Sequence, residues 1–220
     1  MVNIERVCDL LEAKYGKPEW KRHNPPLDEL ILTILSQNTT AANCGRAFAR
    51  LRRAFPTWEN VMTAPVERIA ESIRVGGLGD SKAARIQTIL RRIYESRGAL
   101  DLDWLEDLPM DKAWEYLLSF EGVGPKTAAC LLLFSFGKPA LPVDTHVHRV
   151  SRRVGLIPED VNASAAHELL RRIVPERRVY SFHLNAIRLG REVCRPRRQR
   201  HEVCPLCQEC DFAREQTGVA

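Results

Sequence analysis

Apolar residues recur along this chain at helical spacing, and no stretch alternates as a strand would. In residues 2–16, Ile4, Val7, Leu10, Leu11 and Tyr15 form one stripe, which predicts an amphipathic first helix. Pro18 and the group Asn24-Pro25-Pro26 then break the chain. From Leu27 a second helix follows. Its run Leu30, Ile31, Leu32, Ile34, Leu35 is apolar on nearly all sides, which predicts a central position. Further helices are predicted near 41–54, 58–63 and 65–74, separated by Pro56 and Pro65, and later near 145–154, 161–173 and 178–191. Between them, the glycine-rich turn 75–79 leads into a helix with Asp80 or Ser81 as its cap. Asp101–Leu108 is a connector containing Trp104, after which Asp111 caps a helix with Trp114, Leu117 and Leu118 on its apolar face. The expected fold class is all-α.

Leu117–Arg153 concentrates the unusual features. Gly122 and Gly124 bracket Val123, a spacing that suits a tight turn with positive φ or close backbone approach. After Pro125, the apolar run Ala128–Phe136 is long enough for a buried helix. The turn therefore ends at a helix N-terminus, where free N–H groups and the dipole suit a phosphate oxygen. Lys126 sits in that first turn, the wrong end of a helix for a cation, which opens a role as a neutral amine. Otherwise it is a solvated or phosphate-binding lysine. Asp144 follows just before Thr145 and a basic helix, and by itself it is a good N-cap. His146 and His148, two residues apart, point to different helix faces and make a poor metal pair. We read His146 as a structural hydrogen-bonding residue.

Two polar interruptions matter. Ser36-Gln37-Asn38-Thr39-Thr40 is a polar block directly after a buried helix, which reads as a helix end followed by a Thr40 cap. Leu78 stands between glycines and looks exposed, which for a single leucine is ordinary.

Charged residues make up 28% and hydrophobic residues 45%, ordinary values for a globular protein, and the net charge of +5 leans mildly toward polyanions. No apolar run reaches the roughly 18 residues needed to cross a bilayer. Glu5, Asp9 and Glu12 interrupt the N-terminal apolar residues, unlike a signal peptide. A cytoplasmic location is expected. Of seven cysteines, Cys8, Cys44 and Cys130 are scattered in helical patterns and read as small core residues. Cys194, Cys204, Cys207 and Cys210 crowd together with nine, two and two residues between them, and read as a ligand set. Spacing alone leaves an iron–sulfur cluster and an all-cysteine zinc site both open. Between the first two lies a run in which Arg195, Arg197, Arg198 and Arg200 fall within six residues. Tethered at both ends, it reads as a fixed basic loop suited to phosphate contact.

The hairpin Gly122-Val123-Gly124, the following Lys126-Thr127-Ala128, and Val143-Asp144-Thr145-His146-Val147 with Arg149 together resemble the helix-hairpin-helix DNA glycosylases of the endonuclease III superfamily (HhH-GPD). The resemblance extends over most of the chain. It implies a helical-barrel domain over 22–136, a second domain from 1–21 and 137–220, and an active site in the cleft between them. It implies Lys126 as the nucleophile and Asp144 as its carboxylate partner. The DNA-contacting residues would be Gln37, Asn38, Leu78, Lys82, Gly122, Gly124, Arg149 and the four loop arginines. Asn38, with Gln37 beside it, would fill the gap left by an extruded base. Leu78 would wedge into the duplex, while Lys82 and Arg85 would lie near phosphates. The resemblance also favours a [4Fe–4S] cluster on Cys194, Cys204, Cys207 and Cys210 over zinc, although the family spacing is six, two and five.

The expected activity is removal of damaged bases, foremost oxidised pyrimidines, from duplex DNA by a monomer at the nucleoid, with β-elimination at the resulting abasic site. Segments 101–105 and 112–119 also resemble plant 5-methylcytosine glycosylases, and Gln37-Asn38 occurs in alkyl-base branches. A monofunctional glycosylase, and a helix-hairpin-helix protein that binds DNA without cutting it, are the alternatives.

Overall fold

The computed structural model describes residues 2–217, and no strand occurs among them. The backbone separates into two compact units, one of Met1–Lys21 with Gly137–Ala220 and one of Arg22–Phe136. Helix α1 (Ile4–Tyr15) opens the first unit, with Asn3 Oδ1 accepting from the N–H groups of Glu5 and Arg6.

The Arg22–Phe136 unit is built around two nearly all-apolar helices. One, α2 (Pro26–Ser36), starts on a proline whose missing N–H costs nothing at that position, and it buries Leu30, Ile31, Ile34 and Leu35 completely. After it come α3 (Ala41–Ala54), capped by Thr40, α4 (Trp58–Thr63), closed by a Thr57/Asn60 capping box, and α5 (Val66–Ile73). Then follow α6 (Gly79–Arg97), α7 (Met110–Leu118) and the second apolar helix, α8 (Pro125–Phe136). Thr127–Leu133 is buried without interruption, so α8 has no solvent face over almost two turns. Helix α2 packs against α8 and α3, and α6 packs against α5 and α4. Two predicted caps lie two or three residues too far along. Leu78 is the N-cap of α6 and Pro109 that of α7, neither with a side-chain bond. Asp80 and Asp111 sit instead in the first turns, where their charge still favours the dipole.

The other unit packs α1 against α11 (Val179–Glu192) and α11 against α9 (Thr145–Val154). Between these lies α10 (Ala163–Ile173), capped by Asn162, and α12 (Asp211–Thr217) returns to α9. Val7 and Leu11 from α1, Phe182 and Leu189 from α11, and Val147 and Val150 from α9 are all buried. Around that core, Arg178 pairs with Asp9 at 2.7 Å and Glu12 at 2.6 Å, while Ser181 Oγ donates to the other Glu12 oxygen. Residues 193–210 contain only short 3₁₀ turns, so this segment lacks the regular backbone bonding found elsewhere.

Candidate active site and cysteine segment

The hairpin is closed by Val123 N–H donating to Phe120 O at 3.1 Å, with the Val123 side chain buried beneath it. Gly122 takes φ +78°, and a Cβ there would fall inside the Arg85 guanidinium, so the glycine is required twice over. Gly124 is different: nothing lies within 4 Å of its Cβ position, which leaves the backbone open to a ligand. Its carbonyl accepts from Thr127 and Ala128, starting α8. Lys126 is half-buried on that first turn, and its amine donates no hydrogen bond among the described residues.

Two other loops of the same unit carry the predicted duplex contacts. Asn38 is exposed at φ +54° and Leu78 is 60% exposed at φ +53°. Left-handed backbone costs a residue such as leucine about 1–2 kcal/mol, whereas asparagine adopts it more readily. Arg198, in the basic loop of the other unit, takes φ +56°. Among the described residues these three are the non-glycine positions with positive φ, and each is a predicted DNA contact. Gln37 has a different place. Its Oε1 accepts from Arg85 at 2.9 Å, and its Nε2 reaches Gly122 O and Thr127 Oγ1, both at 3.4 Å.

Lys82 corrects the reading of it as a phosphate contact. It is 1% exposed, and its amine donates to Leu35 O at 2.8 Å and Gly76 O at 3.0 Å. Burial lowers its pKa below the ordinary lysine value. The helix period placed Lys82 correctly in the first turn of α6 but could not show that this turn faces inward.

In the other unit, Asp144 is the N-cap of α9. One carboxylate oxygen, Oδ1, accepts both the His146 and Val147 N–H groups, at 2.9 and 2.8 Å. Oδ2 takes part in neither bond, so capping leaves half of the carboxylate available. Arg149 also has a task other than the predicted one. Its guanidinium donates to Cys194 O at 2.9 Å and Gly190 O at 2.8 Å and meets His146 Nδ1 at 3.1 Å, fastening α9 to the chain entering the cysteine segment. His148 Nε2 lies 2.7 Å from Val161 O, a structural bond that its sequence position did not reveal.

Cys194, Cys204, Cys207 and Cys210 line one small pocket together with Val193, Phe212 and Ala213. Arg153, from the last turn of α9, points a guanidinium nitrogen at Cys194 Sγ (3.4 Å) and also donates to the carbonyls of Arg195 and Pro196. Burial, reinforced by the neighbouring cysteines, pushes the Cys204 thiol up to about 11, and burial raises Cys210 as well. Without a cation these thiols keep their protons; a bound metal would reverse that. The chemistry of four sulfurs around one apolar pocket, with a guanidinium at its edge, fits an anionic thiolate-bound group. Arg195, Arg197, Arg198 and Arg200 lie on the loop between the first two cysteines, and all four are exposed.

Residues 31–176 match the family described as HhH-GPD superfamily base excision DNA repair protein. The chain belongs to that superfamily. It is similar to a provisionally named DNA glycosylase of Arabidopsis thaliana, 39% identical over 73% of this chain and 54% of that protein, so it spans about half of that relative's length. Endonuclease III of Thermotoga maritima is 34% identical over 90% of this chain and 88% of the relative. Two solved structures of endonuclease III with DNA, one non-covalent and one a trapped covalent intermediate, each superpose with a TM-score of 0.81. Each is 27% identical and covers 99% of this chain and 100% of the other.

Proposed function

We propose that this protein is a base-excision DNA glycosylase with AP lyase activity, acting on duplex DNA that carries an oxidised pyrimidine or an abasic site. The observation that carries the reading is Lys126, an amine without a hydrogen-bonding partner among the described residues on the turn that leaves the glycine hairpin, in a chain similar to endonuclease III over nearly its whole length. A neutral Lys126 amine attacks C1′ and the base departs with the bonding electrons; the attached nitrogen then loses its proton and the C1′–O4′ bond opens, O4′ taking up a proton, which leaves a Schiff base. Removal of a C2′ proton then expels the 3′ phosphate by β-elimination. Asp144 stabilises positive charge on the sugar through the oxygen its cap does not use, and it assists proton removal. The open Gly124 backbone and the α8 N-terminus hold a phosphate, Asn38 and Leu78 occupy the space vacated by the flipped nucleotide, and the arginine loop grips the backbone.

Cys194, Cys204, Cys207 and Cys210 would hold a [4Fe–4S] cluster, whose role is to fix the basic loop rather than to exchange electrons with the substrate.

Borohydride trapping on duplexes with thymine glycol, a uracil or thymine mismatch, 5-methylcytosine or an abasic site tests this. An adduct on the thymine glycol and abasic duplexes, lost in Lys126→Gln, is the expected result. Base release with no adduct on any duplex would make the enzyme monofunctional and overturn the lyase assignment.

A further inference from the structure

We infer that Lys82 and Arg85 are positioning residues that tie the three loops carrying Asn38, Leu78 and Lys126 into one surface; the DNA-contacting role of those loops rests on the function proposed above. The two cations stand three residues apart, on one face of the first turns of α6, and both turn inward. Lys82 reaches the carbonyl of Leu35, an otherwise orphaned acceptor at the end of α2, two residues before Gln37. Its other bond holds Gly76 O, two residues before Leu78. Arg85 continues the series. It donates to Gln37 Oε1 while its guanidinium lies against the Gly122 backbone, in the space a Cβ would take. Gln37 completes the tie by reaching Gly122 O and Thr127 Oγ1, one residue beyond Lys126.

This arrangement explains how Leu78 keeps a left-handed backbone that leucine disfavours, beside Asn38, whose residue type tolerates one. The backbone shortly before each is anchored to the same lysine, and the hairpin is held to the same helix by the arginine. It also divides labour within Gln37-Asn38: Gln37 is engaged inside the protein, and exposed Asn38 is the residue presented outward.

Hydrogen exchange on the DNA-free protein tests the tie without invoking activity. In Arg85→Ala, amides of 36–40 and 120–126 should exchange at least ten-fold faster while the rest of the unit keeps its rates. In Lys82→Met, 36–40 and 74–79 should respond. Should Lys82→Met fail to fold, Arg85→Ala carries the test. Unchanged exchange in both distant segments of Arg85→Ala would overturn the proposal.

Binding to a duplex containing a tetrahydrofuran abasic analogue separates positioning from direct phosphate contact. Arg85→Ala should weaken binding at least ten-fold with the slope of log K against log salt unchanged. A slope smaller in magnitude by about 0.9 would instead make Arg85 a phosphate ligand and sink the proposal. A wild-type protein that fails to prefer this duplex over undamaged DNA would refute the proposed function, and the exchange measurement would still decide the tie.

Discussion

The Arg22–Phe136 unit and the unit formed by 1–21 and 137–220 are both helical and both turn cations onto backbone carbonyls, yet only the second adds a partly buried ion-pair centre and a tethered arginine loop. In the first, Lys82 and Arg85 turn inward and bond to carbonyls or a glutamine beside a core formed by α2 and α8. In the second, Arg178 gathers Asp9 and Glu12 where α1 meets α11, and four more arginines are strung along a loop whose ends are cysteines. The first unit is organised on an apolar core of regular helices. In the other, the last regular helix before the clustered cysteines ends at Glu192, and residues 193–210 carry only short 3₁₀ turns. The units should fail under different insults, and the largest expected effect follows from that.

With the cluster proposed above on the four cysteines, its removal by a chelator after oxidation, or the substitution Cys204→Ser, should release residues 193–210 while leaving 22–136 folded. Proteolysis should then cut within the arginine loop. Duplex affinity should drop at least a hundred-fold with a shallower salt slope, since every phosphate that the loop no longer neutralises changes the slope by about 0.9. If the basic loop stays protected and the slope holds, the segment is ordered without its ligand and the contrast between the units disappears.

The reverse insult is Leu132→Ala. Leu132 is 0% exposed in the middle of α8, and such truncations cost about 2–5 kcal/mol. We expect about 3 kcal/mol, read as a lower urea midpoint at constant m. The visible spectrum of the proposed cluster, where the purified protein carries one, should be unaffected at low denaturant.

Smaller effects should follow at the ion-pair centre. Arg178→Ala leaves Glu12, the most buried of its partners, without its cation, and should cost about 2 kcal/mol, between the exposed and buried extremes for ion pairs. Cys8, on the same helix, gives this region a pH signature. Burial is the main cause that raises its thiol from 9.0 to about 12. The unfolded chain therefore loses this proton above pH 9 while the native state keeps it. The contribution is intact below pH 9 and is lost progressively as pH rises toward 12. By about pH 10, one unit above the unfolded value of 9.0, the wild type should have lost about 1.4 kcal/mol relative to Cys8→Ala, since each pH unit between the two values is a tenfold step worth about 1.4 kcal/mol. Parallel pH profiles for the two proteins would refute this.

Much of this architecture is legible in the chain because it follows from local periodicity. The runs through α2 and α8, the Thr40 cap and the Asp144 cap depend on neighbours within four residues. The features that are not legible depend on partners far along the chain. Lys82 in a first turn looks like a surface cation until α2 and the turn at Gly76 supply carbonyls for it. Arg149 in a basic helix looks like a phosphate contact until Gly190 and Cys194 claim it. A glycine-rich turn predicts positive φ at its glycines; it does not predict that Leu78 itself takes φ +53°. That conformation is imposed by tertiary contacts, against the preference of the residue.

Leu78 therefore provides the finest test of the contrast, because there the apolar-cored unit gives up stability at one exposed position. Leu78→Gly removes the steric penalty of φ +53° and the exposed side chain, and it adds the backbone entropy of a glycine to the unfolded chain. The first effect is worth about 1–2 kcal/mol and the second about 0.5–1 kcal/mol in the opposite direction, so a net gain of about 0.5 kcal/mol is expected. Stability should rise while base release from duplex DNA falls at least ten-fold, because no side chain remains to hold the opened stack. β-Elimination on a single-stranded abasic oligonucleotide, which needs no wedge, should stay within two-fold of wild type. A loss of both activities would mean that the loop supports Lys126 itself. A loss of stability would mean that the left-handed leucine is a packing solution rather than a cost carried for the duplex.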